Sequence, residues 1–156
     1  MQLSEEVIIN KARKLTCEDA IKLMEDVINE IFEGRMEHKL DPTQAIVLGV
    51  FLQIRAYEVA VKIRDLYIEL GAYEINYKDE LRKELKKLTN EFPDYSDRKL
   101  KEMAISGNKK IHEYENKMVE INRKIDGLKD EAQHLSYLSR SWENVINVIK
   151  QEWKNS

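Results

Sequence analysis

Apolar residues recur three and four positions apart along most of the chain, a spacing that predicts helices rather than strands. Ile21, Met24, Val27, Ile28 and Ile31 share one face of a helix expected from Thr16 to about Phe32. Thr16, with Asp19 three residues on, suits its N-terminus because a threonine oxygen can accept from a free first-turn amide, and Gly34 stands near its end. Before it, Val7, Ile8, Ile9, Ala12 and Leu15 fit a short helix or a brief strand at Val7-Ile8-Ile9. Asp41-Pro42 marks the start of the next helix, since Asp caps orphan amides and Pro is tolerated at the first helical position. That helix is expected to run through Leu70 and stop at Gly71, about 28 residues in all. Its first half, Ala45 to Ile54, is apolar nearly all round and so requires neighbours on several sides.

Ala72 to Tyr77 reads as a short connection, and Lys78 to Phe92 as a charged helix with a stripe of Leu81, Leu85 and Leu88, ended by Pro93. Ser96 can cap a further helix reaching about Ile105, and Gly107-Asn108 breaks the chain again. Then Ile111, Tyr114, Met118, Ile121, Ile125, Leu128, Ala132 and Leu135 form a heptad seam. Leu138, Trp142, Val145 and Ile149 continue it after a stammer, two successive three-residue steps. The resulting helix, residues 108 to 154, would measure roughly 65 Å. A partner of about 28 residues could not cover it, which predicts homo-oligomerisation through a coiled-coil-like C-terminal helix. The expected fold is therefore all-α. One helical domain, 1 to 156, comprises an N-terminal helical region to residue 40, an apolar core helix over 41 to 71, charged helices over 78 to 105 and the long C-terminal helix.

Composition supports that expectation: 35% of residues are charged and only 5 Gly and 2 Pro interrupt 156 positions. The formal net charge of −3 supplies no global attraction to polyanions, so any such site must be local. A single cysteine, Cys17, and the absence of a basic-then-apolar leader over Met1 to Lys14 point to a reducing, cytoplasmic setting. The most apolar stretch, Ala45 to Ile54, ends at Arg55 and is far short of the roughly 20 residues a membrane span needs.

Few groups converge on catalysis. Glu131-Ala-Gln-His134 has the Glu-x-x-His spacing of a di-iron helix, but no second copy exists, and there is neither a Gly-rich phosphate loop nor a nucleophile elbow. The chain is expected to be neither an enzyme nor a metal or cofactor binder. Basic residues do cluster: Arg82, Lys83, Lys86 and Lys87 lie within two turns, and residues 78 to 110 hold 10 Lys/Arg against 7 Asp/Glu. Earlier in the chain, Lys62 and Arg64 sit well apart around the helix, Arg64 and Tyr67 are one turn apart on a shared face, and Arg55 lies two turns before Lys62. Two cations to neutralise phosphates and a ring to stack on a base are the parts of a single-stranded nucleic-acid surface.

The run Val59-Ala-Val-Lys62-Ile-Arg64-Asp-Leu-Tyr67 through Gly71 resembles the Lys-x-Arg motif of phage UvsY-type recombination mediators. The C-terminal layout is similar too: a charged stretch with Arg98 and Glu102, then a long helix with a Leu-rich, Trp-containing end, Leu135 to Trp153. In place of that family's Gly-Arg-Gly this chain has Glu69-Leu70-Gly71-Ala72. The resemblance implies a small, helical, oligomeric protein in the host cytoplasm that binds single-stranded DNA and helps load a recombinase onto DNA covered by single-strand-binding protein. The rival expectation is a non-enzymatic helical adaptor, such as a phage accessory or anti-defence factor, that binds a protein partner through its heptad seam.

Overall fold

The computed structural model of the protein describes residues 4–155; residues 1–3 and 156, the extremes of the expected 1 to 156 domain, lie outside them. The described residues form five α-helices: α1 Glu5–Arg13, α2 Cys17–Phe32, α3 Pro42–Glu91, α4 Asp97–Gly107 and α5 Lys109–Asn155. No strand occurs among them, and Val7-Ile8-Ile9 belongs to α1. Two compact units share the two long helices, one made of Met1–Ala60 with Asp130–Ser156, the other of Val61–Lys129. No described helix is long and apolar enough to cross a membrane.

In the first unit the core is drawn from α2, the start of α3 and the end of α5: Ala20, Met24, Val27, Leu48, Leu52, Leu135, Leu138, Trp142, Val145 and Ile149 are buried. Helices α3 and α5 approach closely at Gly49, where an added Cβ would lie 3.3 Å from Ile146 Cδ1 and 3.5 Å from Trp142 Cδ1. That space seats the indole, whose Nε1 donates to the Ala45 carbonyl at 2.8 Å. The start of α3 is fixed by reciprocal capping: Asp41 Oδ1 accepts from the Gln44 amide at 2.8 Å, and Gln44 Oε1 accepts from the Asp41 amide at 3.0 Å. Thr16 departs from its expected role, because its hydroxyl donates to Asp19 Oδ2 at 2.8 Å instead of accepting from an amide. Gly34, with φ of 75°, ends α2 in the left-handed region open to glycine. The segment that follows is held by Glu30, whose buried carboxylate accepts from the amides of Glu37 and His38 at 3.1 and 3.0 Å and meets His38 Nδ1.

In the second unit α3 and α5 again pack antiparallel, with α4 at one end. Leu70 packs with Ile121 and Ile125, supported by Leu66, Tyr73 and Met118. Leu88, Leu100, Ala104 and Ile111 form a second cluster with Tyr77, Leu81 and Leu85 against it. Asn108 joins the helices by donating to Glu84 at 3.2 Å, and Ser96 caps α4 by accepting from the Lys99 amide at 3.3 Å.

The largest departure from expectation is at Gly71, which does not end a helix: α3 continues to Glu91, and Ala72 to Tyr77 is helical. A glycine inside a helix costs about 1 kcal/mol relative to alanine. The stripe Leu66, Leu70, Tyr73, Tyr77 crosses it without a break and gains more than that by burial. With α3 at 50 residues and α5 at 47, the seam on α5 finds cover inside its own chain. Length mismatch thus gives no reason for self-association.

Two expectations follow for stability. Gly127 has no atom within 4 Å of an added Cβ, so Gly127→Ala should raise unfolding free energy by about 0.5–1 kcal/mol in a denaturant titration. Trp142→Ala should lower it by about 3–5 kcal/mol in the same titration. The Glu30 carboxyl is held below the ordinary glutamate value, first by the His38 amide that it accepts from. A carboxyl with a lowered folded value stabilises above its unfolded value, and that contribution is lost as pH falls through the folded one. The gap in melting temperature between wild type and Glu30→Gln should accordingly be open at about pH 6 and close toward about pH 3.

Candidate nucleic-acid interface

The basic residues singled out in the sequence divide between the two units and among several helix edges. Arg55 belongs to the first unit and is engaged, its Nε and Nη2 donating to Glu131 Oε1 at 2.9 and 2.6 Å. That hydrogen bond is the leading reason the guanidinium is held above its ordinary value. Glu131 is therefore committed to an arginine, and His134 Nε2 lies 3.0 Å from Glu25 Oε1. Among the described residues no cluster of three or more His, Cys, Asp or Glu side chains is arranged to hold a metal ion.

Lys62, Arg64 and Tyr67 are all exposed in the second unit but do not form one site. At about 100° per residue, Lys62 and Arg64 point roughly 160° apart and Lys62 and Tyr67 roughly 140° apart. Lys62 lines a groove of about 520 Å³ between α3 and α5, together with Asp65, Leu66, Lys124, Gly127 and Leu128. Two lysines thus line one groove from different helices, Lys124 with its Nζ 3.5 Å from Glu120 Oε1, and Gly127, lacking a side chain, keeps the wall open. Tyr67 stands apart from that groove, with Lys129 Nζ 5.2 Å from its ring centroid. The Lys129 ammonium is held above its ordinary value, first by hydrogen bonding to Tyr67, and so stays charged. Arg64 turns away from α5 and reaches only its neighbour Asp65, at 3.3 Å.

The later cluster divides as well. Arg82 and Lys83 both pair with Asp79, at 2.8 and 3.2 Å. Asp79 is held below its ordinary value, first by the bond to Lys83. Lys86 and Lys87 are exposed. Lys87 returns to the side of α3 that carries Lys62, seven turns on. Lys124 and Lys129 escaped the sequence reading because they sit among the outward positions of a heptad seam, where lysine is ordinary. Only the antiparallel pairing of α3 with α5 puts Lys124 opposite Lys62.

No protein-family model, curated protein or solved structure matches the chain.

Arg55 separates structural from nucleic-acid roles. Because the pair with Glu131 is partly exposed, Arg55→Ala should cost about 1 kcal/mol in a denaturant titration. The same variant should leave oligonucleotide affinity unchanged.

Proposed function

We propose that the protein binds single-stranded DNA through the Lys62–Lys124 groove and acts as a recombination mediator, an assembly that holds DNA so that a recombinase can displace single-strand-binding protein. The observation that supports this reading is that Lys62 and Lys124, from separate helices, both line one open groove, with the Lys124 ammonium 3.5 Å from Glu120 Oε1. Phosphate neutralisation needs cations spaced along a path rather than a basic protein overall, so a net charge of −3 is compatible with it. The Lys-x-Arg-x-x-Tyr run and the Trp-containing C-terminal helix, similar to those of UvsY-type mediators, supply the recombination context, the recombinase and single-strand-binding protein as partners, and a cytoplasmic site of action. In this reading Lys62 contacts phosphate, and Arg64, on the opposite side of the helix, does not.

The second reading, a helical adaptor that binds another protein, is favoured by Ile68 and Ile75, which stand largely exposed on the outer face of α3. DNA binding separates the two.

Fluorescence anisotropy of a labelled single-stranded oligonucleotide should show binding that weakens steeply with salt. Lys62→Ala/Lys124→Ala should weaken it about tenfold or more and reduce the slope of log affinity against log salt by about 1.4, at roughly 0.7 per phosphate contact on a single strand. Binding by wild type that ignores salt, or that survives the double substitution undiminished, would remove the groove from the account and leave the adaptor.

A further inference from the structure

The outer face of α3 in the second unit carries a pattern that its own chain does not use. Ile68 and Ile75 are seven residues apart, 67% and 70% exposed, although large apolar side chains at heptad spacing ordinarily find a partner. Ile68 lies about 160° around α3 from Leu66 and Leu70, and Ile75 about 160° from Tyr73, so the two isoleucines face away from the core that Leu66, Leu70 and Tyr73 build with α5. Between them Gly71 has nothing within 4 Å of an added Cβ, so no other helix among the described residues occupies that space.

What flanks the two isoleucines selects the occupant. Roughly 40–60° to one side of them lie Arg64, Gly71 and Lys78, spaced by seven; equally far to the other side lie Asp65, Ala72 and Asp79, also spaced by seven. One flank reads cation, small, cation, and the other anion, small, anion. Arg64, Asp65 and Lys78 are exposed and Asp79 is half-exposed, and among the described residues Arg64 and Asp65 pair only with each other, at 3.3 Å. Asp79 also holds Arg82 and Lys83.

We infer that this face is the contact between two copies of the chain, with their α3 helices parallel and in register. A two-fold axis running along the helices sets each basic flank against the other copy's acidic flank: Arg64 meets Asp65, Lys78 meets Asp79, and Gly71 meets Ala72 where the backbones come closest. Ile68 and Ile75 each pack on their own counterpart, and β-branched residues at such central positions favour two strands. An antiparallel copy is disfavoured by the same charges, because it sets cation against cation on one edge and Asp65 against Asp79 on the other. The pattern is isologous, every contact being made twice, as a closed dimer requires. The inference concerns α3 alone and does not depend on DNA binding. It places self-association on the outer face of α3 rather than on the heptad seam of α5.

Sedimentation equilibrium on the full chain tests it, with charge reversals on either flank. Wild type should self-associate at about 100 μM, a concentration that populates even weak dimers. Asp65→Lys/Asp79→Lys and Arg64→Glu/Lys78→Glu should each weaken self-association about tenfold or more, and an equimolar mixture of the two should associate again. Recovery in the mixture excludes misfolding as the cause of the loss. Orientation is read from disulfides formed under mild oxidation in a Cys17→Ser background. Ile75→Cys should cross-link to itself, whereas a mixture of Ile68→Cys and Ile75→Cys chains should give no preferential hetero-dimer. A monomeric wild type, charge reversals without effect, or preferential cross-linking of position 68 to position 75 would each overturn the inference.

Discussion

Each unit of this protein depends on one contact, the apolar stripe of α5 laid against an apolar stripe of α3. In the first unit Leu135, Leu138, Trp142, Val145 and Ile149 are buried, and in the second Ile111, Ile121 and Ile125 are. An amphipathic helix gains most of its stability from burying such a face, and all of α5 has one. Once both stripes are committed to each other, the charged residues have only the edges and the outer faces left to them. The Lys62–Lys124 groove is one of those edges, and the row of Ile68 and Ile75 is one of those faces.

How far this was readable in advance depends on whether a signal was local. Capping at Asp41 and Ser96, the end of α2 near Gly34 and the register of the α5 seam are set by residues within a turn of each other, and all are found as expected. At Gly71 the local signal misled. Glycine near the end of an apolar run resembles a helix stop, but the opposing burial of Leu70 and Tyr73 comes from residues more than 40 positions away in the chain. For that reason local signals alone predict too short an α3, and with it an α5 without cover. The candidate site shows the same division. Lys62 was identified from its neighbours in sequence, whereas Lys124 acquires meaning only from the pairing of two distant helices, and Arg55 looked available until Glu131 came beside it.

Ion pairs take up part of the cationic surface. Arg55, Arg82 and Lys83 hold carboxylates, and exposed pairs of this kind stabilise little, typically less than about 1 kcal/mol each. Their effect is to withdraw cations from the surface field. Among the described residues Lys62 makes no ion pair, whereas Lys124, which lines the same concave surface, lies 3.5 Å from Glu120 Oε1.

Asp65 connects the two proposed surfaces of the second unit. It lines the Lys62–Lys124 groove, where its negative charge opposes a phosphate, and it belongs to the acidic flank of α3. In the chain alone Arg64 reaches it only weakly, across a single residue step. In a parallel pair the second copy's Arg64 approaches the same carboxylate from outside the groove, neutralising it without filling the space between the lysines. The groove then becomes more favourable to a phosphate, and by reciprocity a bound phosphate, by repelling Asp65 toward the second copy, strengthens the pair. Both interactions are electrostatic and both weaken with salt, so the coupling between them is largest at low ionic strength and fades as the Debye length shrinks below the few ångströms that separate these groups.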